Sequence, residues 1–368
     1  MRLERTTSAR ARAAEHQLVR ASMALAGLLL LALIGPSVAL AGGFNTPGNL
    51  LIADQFNNRV IELNESGRIV WHFGNGQPVA GPRSLVAPQS VQRLPYKGMT
   101  LITCGSVLAG TPGYPAGGVI DGRVIIVNRK GRIVWRYGRA GVAGAGPGEL
   151  NDPVDARWSP GDDIMITDQG NQRVIEVSAK KKIIWSYGTV GSPGSGPGQL
   201  DHPASAERVW TNKVLIADQG NDRVIMVKGE TVSSSYGAPG QTDVLNAPAS
   251  ARLLPSGRLL IVDSGNSRVI RVRRDKTVIW SYVTSARAGS ISDPGPSDAV
   301  VRPGGQTLIS DGLNQQVIEL SYDGMMVWSY GALGMPGLQW GQLNAPRGLD
   351  LVPRIRVFMS PLRVHGSG

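Results

Sequence analysis

Apolar residues fall in runs of four to six, separated by short polar turns, and one order of runs and turns returns along the chain. Leu51-Ile-Ala-Asp-Gln-Phe-Asn-Asn-Arg-Val-Ile-Glu-Leu63 is followed by Gly67-Arg-Ile-Val-Trp-His-Phe-Gly74. Variants span residues 165–177, 215–227, 260–272 and 308–320. The runs are rich in Val, Ile, Leu and Trp, which predicts strands. The Asp-x-x-Asn-x-Arg segment between the first two runs predicts a tight turn, because Asp and Asn side chains bond nearby backbone groups. A fourth run lies upstream in each copy, as at Pro153-Val-Asp-Ala, Pro203-Ala-Ser-Ala and Pro248-Ala-Ser-Ala.

The turn positions Asp54, Cys104, Asp168, Asp218, Asp263 and Asp311 are 50, 64, 50, 45 and 48 residues apart. Four strands in a repeat of this length make a propeller blade, with the Pro-initiated strand innermost. Residues 44–74 supply only three strands. The missing inner strand is expected at Leu343–Val352, pairing with residues 49–54 and closing the ring, which removes free sheet edges. The expected fold is therefore all-β, a six-bladed β-propeller over residues 42–353. The long step places an insertion at Gly105–Gly122 in the second blade. Such a loop is either a site of added function or neutral growth at an exposed turn.

The pattern Gly-x-Gly-Pro-Gly-x-Leu-x-x-Pro, a strand, then Asp-x-x-Asn-x-Arg-Val runs in full from Gly144 to Arg173. It resembles the NHL-repeat family of β-propellers, and the resemblance covers roughly residues 47–353. It implies the propeller fold and little about function, since such propellers host enzymes, binders and scaffolds alike.

Composition adds a targeting expectation. Residues 1–41 carry five Arg, then the uncharged apolar stretch Ala21–Ile34, then Ala39-Leu-Ala41. That order predicts a secretory signal peptide, and hence an extracytoplasmic, secreted protein. The alternative is an uncleaved membrane anchor over residues 21–41. The net charge of +11 is scattered, so nucleic acid is not an expected partner. Cys104 is the only cysteine and sits in an apolar run, where it reads as a buried small hydrophobe. Residues 354–368 form a tail or an extra edge strand. The chain is expected to be a monomer.

Candidate chemistry centres on the inner strands. The second residue after each blade-start Pro is Ser90, Asp155, Ser205, Ser250, Asp298 or Gly348. The fourth is Gln92, Arg157, Glu207, Arg252, Val300 or Asp350. Period-2 alternation puts both sets on one side of the strand, towards the channel. Asp155, Arg157, Glu207, Arg252, Asp298 and Asp350, with Trp158 and Trp210 near the strand ends, are the candidate ligand-binding residues. Asp155, Glu207, Asp298 and Asp350 could offer oxygens to Ca²⁺, as the resemblance to lactonase-like propellers implies, or could pair with Arg157 and Arg252. The repeated turn Asp and Arg residues are read as turn braces. The recurring Trp71, Trp135, Trp185, Trp280 and Trp328 are read as packing between blades. The functional expectation is a binding or interaction scaffold for a protein, glycan or small molecule. The alternatives are a Ca²⁺-dependent hydrolase or lyase and, resting on the Trp repeat, a quinone-binding propeller.

Overall fold

The structure is a computed structural model, which describes residues 42–95, 98–159, 161–210, 212–237 and 244–354. The expected signal peptide and the tail beyond Arg354 lie outside the described residues. Among those residues, no helix is long and apolar enough to cross a membrane.

Among the described residues, every predicted run is a strand. Continuous runs of Val, Ile and Leu bury both faces of the middle strands, as at Leu50–Asp54 and Arg173–Val177. The strands form six four-stranded antiparallel sheets. From inside out, the second blade is Pro88–Arg93, Thr100–Val107, Val119–Val127 and Ile133–Gly138, and the other blades repeat the order. The inner strands of successive blades touch one another around the whole ring. The core lies between blades. Leu51, Ala53 and Val60 of the first blade pack on Val91, Ile102 and Ile125 of the second.

Ring closure is as expected. Pro346–Leu351 pairs antiparallel with Leu50–Asp54, matching Leu50 to Leu351 and Ile52 to Leu349. The first blade is thus built from both ends of the propeller, and no inner edge is left free.

The turn braces have one geometry. Asp168 Oδ2 accepts from Asn171 Nδ2 at 2.7 Å and Arg173 Nε at 2.8 Å, while its Oδ1 accepts the Asn151 N–H at 2.7 Å. Asp54, Asp218 and Asp263 repeat this arrangement. Each carboxylate ties its own turn to the strand entry, so the motif is structural. Two blades rebuild the brace from other residues. In the sixth, Gln316 replaces the Arg, and Arg287 from the preceding connection donates to Asp311 Oδ2 at 2.8 Å and Gln316 Oε1 at 2.6 Å. In the second, buried Cys104 replaces the Asp, and Asp121 pairs with Arg123 and accepts the Val86 N–H at 2.8 Å. Burial, then the Asp121 carboxylate, push the Cys104 thiol well up, which keeps it a neutral hydrophobe.

The insertion lengthens a hairpin by a short paired stem that carries a loop. Its two arms pair Ser106 with Ile120 and Val107 with Val119, so only 108–118 is irregular. This extended hairpin leans on the first blade. The Tyr114 hydroxyl meets Asn58 Oδ1 at 3.0 Å, and its ring packs edge-on against Phe56 with centroids 6.1 Å apart.

Candidate functional site

Each inner strand enters from a residue with φ > 0, such as Ala87 (φ 44), Asp152 (φ 47), Ala247 (φ 47) or Gly295 (φ 55). A bulge follows at once. The ladder register shifts between Pro153 and Asp155, and equivalently in every other blade. The bulge leaves the residue directly after Pro out of the ladder and re-aims it.

That shift divides the inner-strand residues into two groups. The predicted set, two residues after Pro, does not stand free in the channel. Ser90 Oγ accepts the Ala156 N–H at 3.1 Å, and Ser205 Oγ accepts the Ala251 N–H at 3.1 Å. Asp155 Oδ2 accepts the Ala206 N–H at 3.4 Å. Ser250 Oγ donates to Asp298 Oδ1 at 3.1 Å, and Asp298 Oδ2 accepts the Leu349 N–H at 2.9 Å. These side chains are buried and fasten each blade to the next. The set four residues after Pro extends the same work. Gln92, Glu207 and Asp350 accept the N–H groups of Trp158, Leu253 and Arg93, each at 2.7 Å.

The structure does bring the predicted charges together, around two arginines. Arg252 Nη2 lies 2.8 Å from Asp298 Oδ2. Arg157 lies 3.1 Å from Asp155 Oδ1 and 3.7 Å from Asp298 Oδ2. Burial works against the Arg157 charge, but Asp155, Asp298, Asp350 and Glu207 outweigh it and raise its pKa. For Asp298, burial is outweighed by Arg252 and Arg157, and the pKa is lowered. Burial prevails at Glu207, whose pKa is raised, and at Asp350, which is pushed up to about 6.

This donor set does not fit Ca²⁺. A calcium site needs six to eight oxygens with lone pairs to spare. Here the Asp298 oxygens face Ser250, Leu349 and the guanidinium of Arg252, and Glu207 and Asp350 each accept a backbone N–H. Among the described residues, no group of three or more His, Cys, Asp or Glu is placed to hold a metal ion. The four carboxylates answer the two arginines instead.

Asp350 carries a pH prediction. Its ordinary value is 3.8, against about 6 in the fold. Between those values the folded chain binds more protons than the unfolded one, so this contribution to stability is lost as pH rises from about 4 to 6. Asp350→Asn keeps an acceptor for the Arg93 N–H and removes the partly buried charge. It should gain about 1–2 kcal/mol over the parent at pH 7, with little difference at pH 4, in denaturant titrations. A variant less stable than the parent at pH 7 contradicts this assignment.

The residues that do face open space are those the bulge frees. Gln89, Val154, Ala204, Ala249, Ser297 and Arg347, one from each blade, line a cavity of about 350 Å³ at the channel mouth. Gln55, Gln169 and Gln219, each directly after a turn Asp, join them, and Ser106–Leu108 and Thr111 of the extended hairpin close one side. Arg347 Nε donates to Gln55 Oε1 at 3.2 Å. Gln169 Nε2 reaches Pro203 O at 3.3 Å and Gln219 Oε1 at 3.4 Å. Asp152 accepts the Ser106 N–H at 2.9 Å. Burial raises its pKa, and that N–H and Arg347 oppose the rise. The predicted positions Ser90, Asp155, Arg157, Ser205, Ser250, Asp298 and Gly348 form part of the wall.

Sequence reasoning missed Arg347 and the three Gln residues. One signal was available: Asp-Gln recurs at three turns where Ser264 and Gly312 stand at others. Trp158 and Trp210 lie at the far ends of their strands, away from the mouth. The Trp158 indole donates to Asp162 Oδ1 at 3.1 Å. Trp210 is 47% exposed. His202 pairs with Asp201 at 2.5 Å on an exposed connection.

No family model matches the chain, and no curated protein matches it. Solved structures do. One is a protein of unknown function from Bacteroides caccae, 13% identical over 83% of this chain and 98% of its own, with a TM-score of 0.57. Another is a streptogramin B lyase, 14% identical over 82% of this chain and 83% of its own, with a TM-score of 0.50. At these identities the likeness is one of fold.

Proposed function

We propose that this is an NHL-type propeller that binds a small polar ligand at the channel mouth. One observation carries the reading: all six blades and the extended hairpin send side chains to a single open cavity, whose polar lining combines Gln amides, Ser and Thr hydroxyls and the Arg347 guanidinium. Amides both donate and accept, which suits a ligand rich in hydroxyl, amide or carboxylate groups. Arg347 adds a planar cation that can hold a carboxylate through two hydrogen bonds. The charges beneath are held in the wall by Arg157, Arg252 and backbone N–H groups, so they make a fixed floor rather than a reactive one. The turn braces support the NHL reading, since Asp, Asn and Arg of the motif meet as one hydrogen-bonded unit in four blades. The lyase neighbour brings no activity with it, because only the architecture is shared.

A thermal-shift screen of amino acids, sugars and small carboxylates tests the reading. A ligand at about 100 times its Kd should stabilise the protein by about 2.7 kcal/mol. Arg347 is exposed to the cavity, so Arg347→Ala should leave the unliganded fold intact. It should weaken binding by about 1.5–3 kcal/mol, the worth of a charged hydrogen-bonding partner. A hit that binds Arg347→Ala and Gln169→Ala as tightly as the parent would place its site elsewhere and sink the proposal.

A further inference from the structure

Five blades carry a Trp on the outer strand, and the fourth does not. Ser234 stands there: it pairs with Met226 as Trp185 pairs with Glu176 one blade earlier. In the first three blades the indole crosses to the next blade and donates to its outer turn. Trp71 reaches Arg129 O at 3.1 Å, Trp135 reaches Ala179 O at 3.2 Å, and Trp185 reaches Gly229 O at 3.3 Å.

The change at Ser234 is not isolated. Between the third and fourth blades, Arg208 lies over the Trp185 ring at 5.7 Å and pairs with Glu176. Between the first and second, Arg93 does the same with Trp71 and Glu62. Between the fourth and fifth, the equivalent three positions are Ser234, Leu253 and Met226. Ring, guanidinium and carboxylate are all replaced, leaving an apolar trough. The trough is a cavity of about 610 Å³, walled by Leu215, Met226, Leu253 and Leu259, at the ends of the blades opposite the channel mouth.

The rim of this cavity is basic. Lys213, Arg273, Arg274 and Lys276 line it, and no carboxylate does. Asp275 lies in the same turn but accepts the Thr277 N–H at 3.0 Å. Trp210 stands beside the opening with Lys213 Nζ 5.3 Å from its ring centroid. The volume lies in the usual range for small-molecule sites, which are mostly apolar with a few placed polar groups.

We propose that this groove is a second ligand site, and that it takes an aromatic anion. The planar ring fills the place the indole holds in neighbouring blades. The anionic group meets Arg273, Arg274, Lys276 and Lys213, where charge-assisted hydrogen bonds favour a carboxylate or similar oxyanion. The site is separate from the channel mouth and does not depend on it.

Indole-3-acetate is a direct probe, with neutral indole-3-acetamide as its control. Calorimetry and saturation-transfer NMR on the propeller should show the acid binding at least about tenfold tighter than the amide, a difference of about 1.4 kcal/mol. Ser234→Trp rebuilds the missing indole and should abolish binding while the protein melts no lower than the parent. Should that variant fail to fold, Arg274→Ser with Lys276→Ser changes only the exposed rim, and it should weaken the acid at least tenfold while leaving the amide unchanged. Arg347→Ala, at the mouth, should bind the acid as the parent does. No binding of the acid to the parent at millimolar concentration overturns the proposal. So does unchanged binding in Ser234→Trp or in the rim variant, or equal affinity for acid and amide.

Discussion

Asp298→Ala should lower stability by about 3–5 kcal/mol, the cost of leaving buried charges without their partner. Asp298 is only 3% exposed, yet it serves four groups from other strands at once. It accepts from Arg252 at 2.8 Å, Ser250 at 3.1 Å and the Leu349 N–H at 2.9 Å, and it faces Arg157 at 3.7 Å. The Arg252 guanidinium, part of the pairing of Arg157 and two strand-to-strand hydrogen bonds therefore depend on this carboxylate. The Leu349 contact matters most for topology, because it joins the sixth blade to the strand that closes the ring. Unfolding in guanidinium at pH 7 measures the effect. Arg252→Met in the same chain should recover part of the loss, since it removes one of the stranded cations, and the two changes should be strongly non-additive. A loss below about 1 kcal/mol for Asp298→Ala would mean that water replaces the carboxylate and that the network is not a dry one.

Gly348→Ala should cost about 1–3 kcal/mol, although alanine adds one methyl group. A Cβ on Gly348 would lie 2.6 Å from Ser90 Cα and 2.9 Å from Gln89 O. These are backbone atoms of the second blade, and no rotamer change can clear them. Every other blade has Ser or Asp at this position and uses its side chain to reach the next inner strand. At the closure the two backbones come together directly, so only glycine fits. Thermal melts of Gly348→Ala and Ser205→Ala compare the two kinds of junction. The first should lose more than the second, because Ser205→Ala removes one hydrogen bond without a clash. Equal losses would show that the closure gives way easily and that the blades can open there.

The blades, their hairpins and the closing strand were legible in the sequence. The reason is that their determinants are local. Asp168, Asn171 and Arg173 span six positions and meet within one turn, and alternation of apolar residues marks each strand whatever lies beside it. Closure by Leu343–Val352 followed from counting, because one inner strand lacked a blade and one blade lacked an inner strand. The braces of the second and sixth blades were not legible. Asp121 and Arg287 replace the missing members from positions outside the motif, and only the folded chain brings them there.

The placement of the site was decided by tertiary structure alone. Strict alternation from Pro153 sends Asp155 and Arg157 towards the channel, but the bulge after each proline breaks the alternation. It turns Gln89, Ser297 and Arg347 to the open mouth, and the predicted residues form the wall beneath while fastening blade to blade. The distribution of charge was equally a matter of the ring. Asp155, Glu207, Asp298 and Asp350 are far apart in sequence, and only closure sets them around Arg157 and Arg252. The groove at Ser234 shows the same division. The serine is visible in the sequence as a break in the Trp repeat, but Leu253 and Met226 become its partners only when the fourth and fifth blades pack. What is local in a repeat protein is written in each repeat; what lies between repeats depends on neighbours that the linear chain does not place side by side.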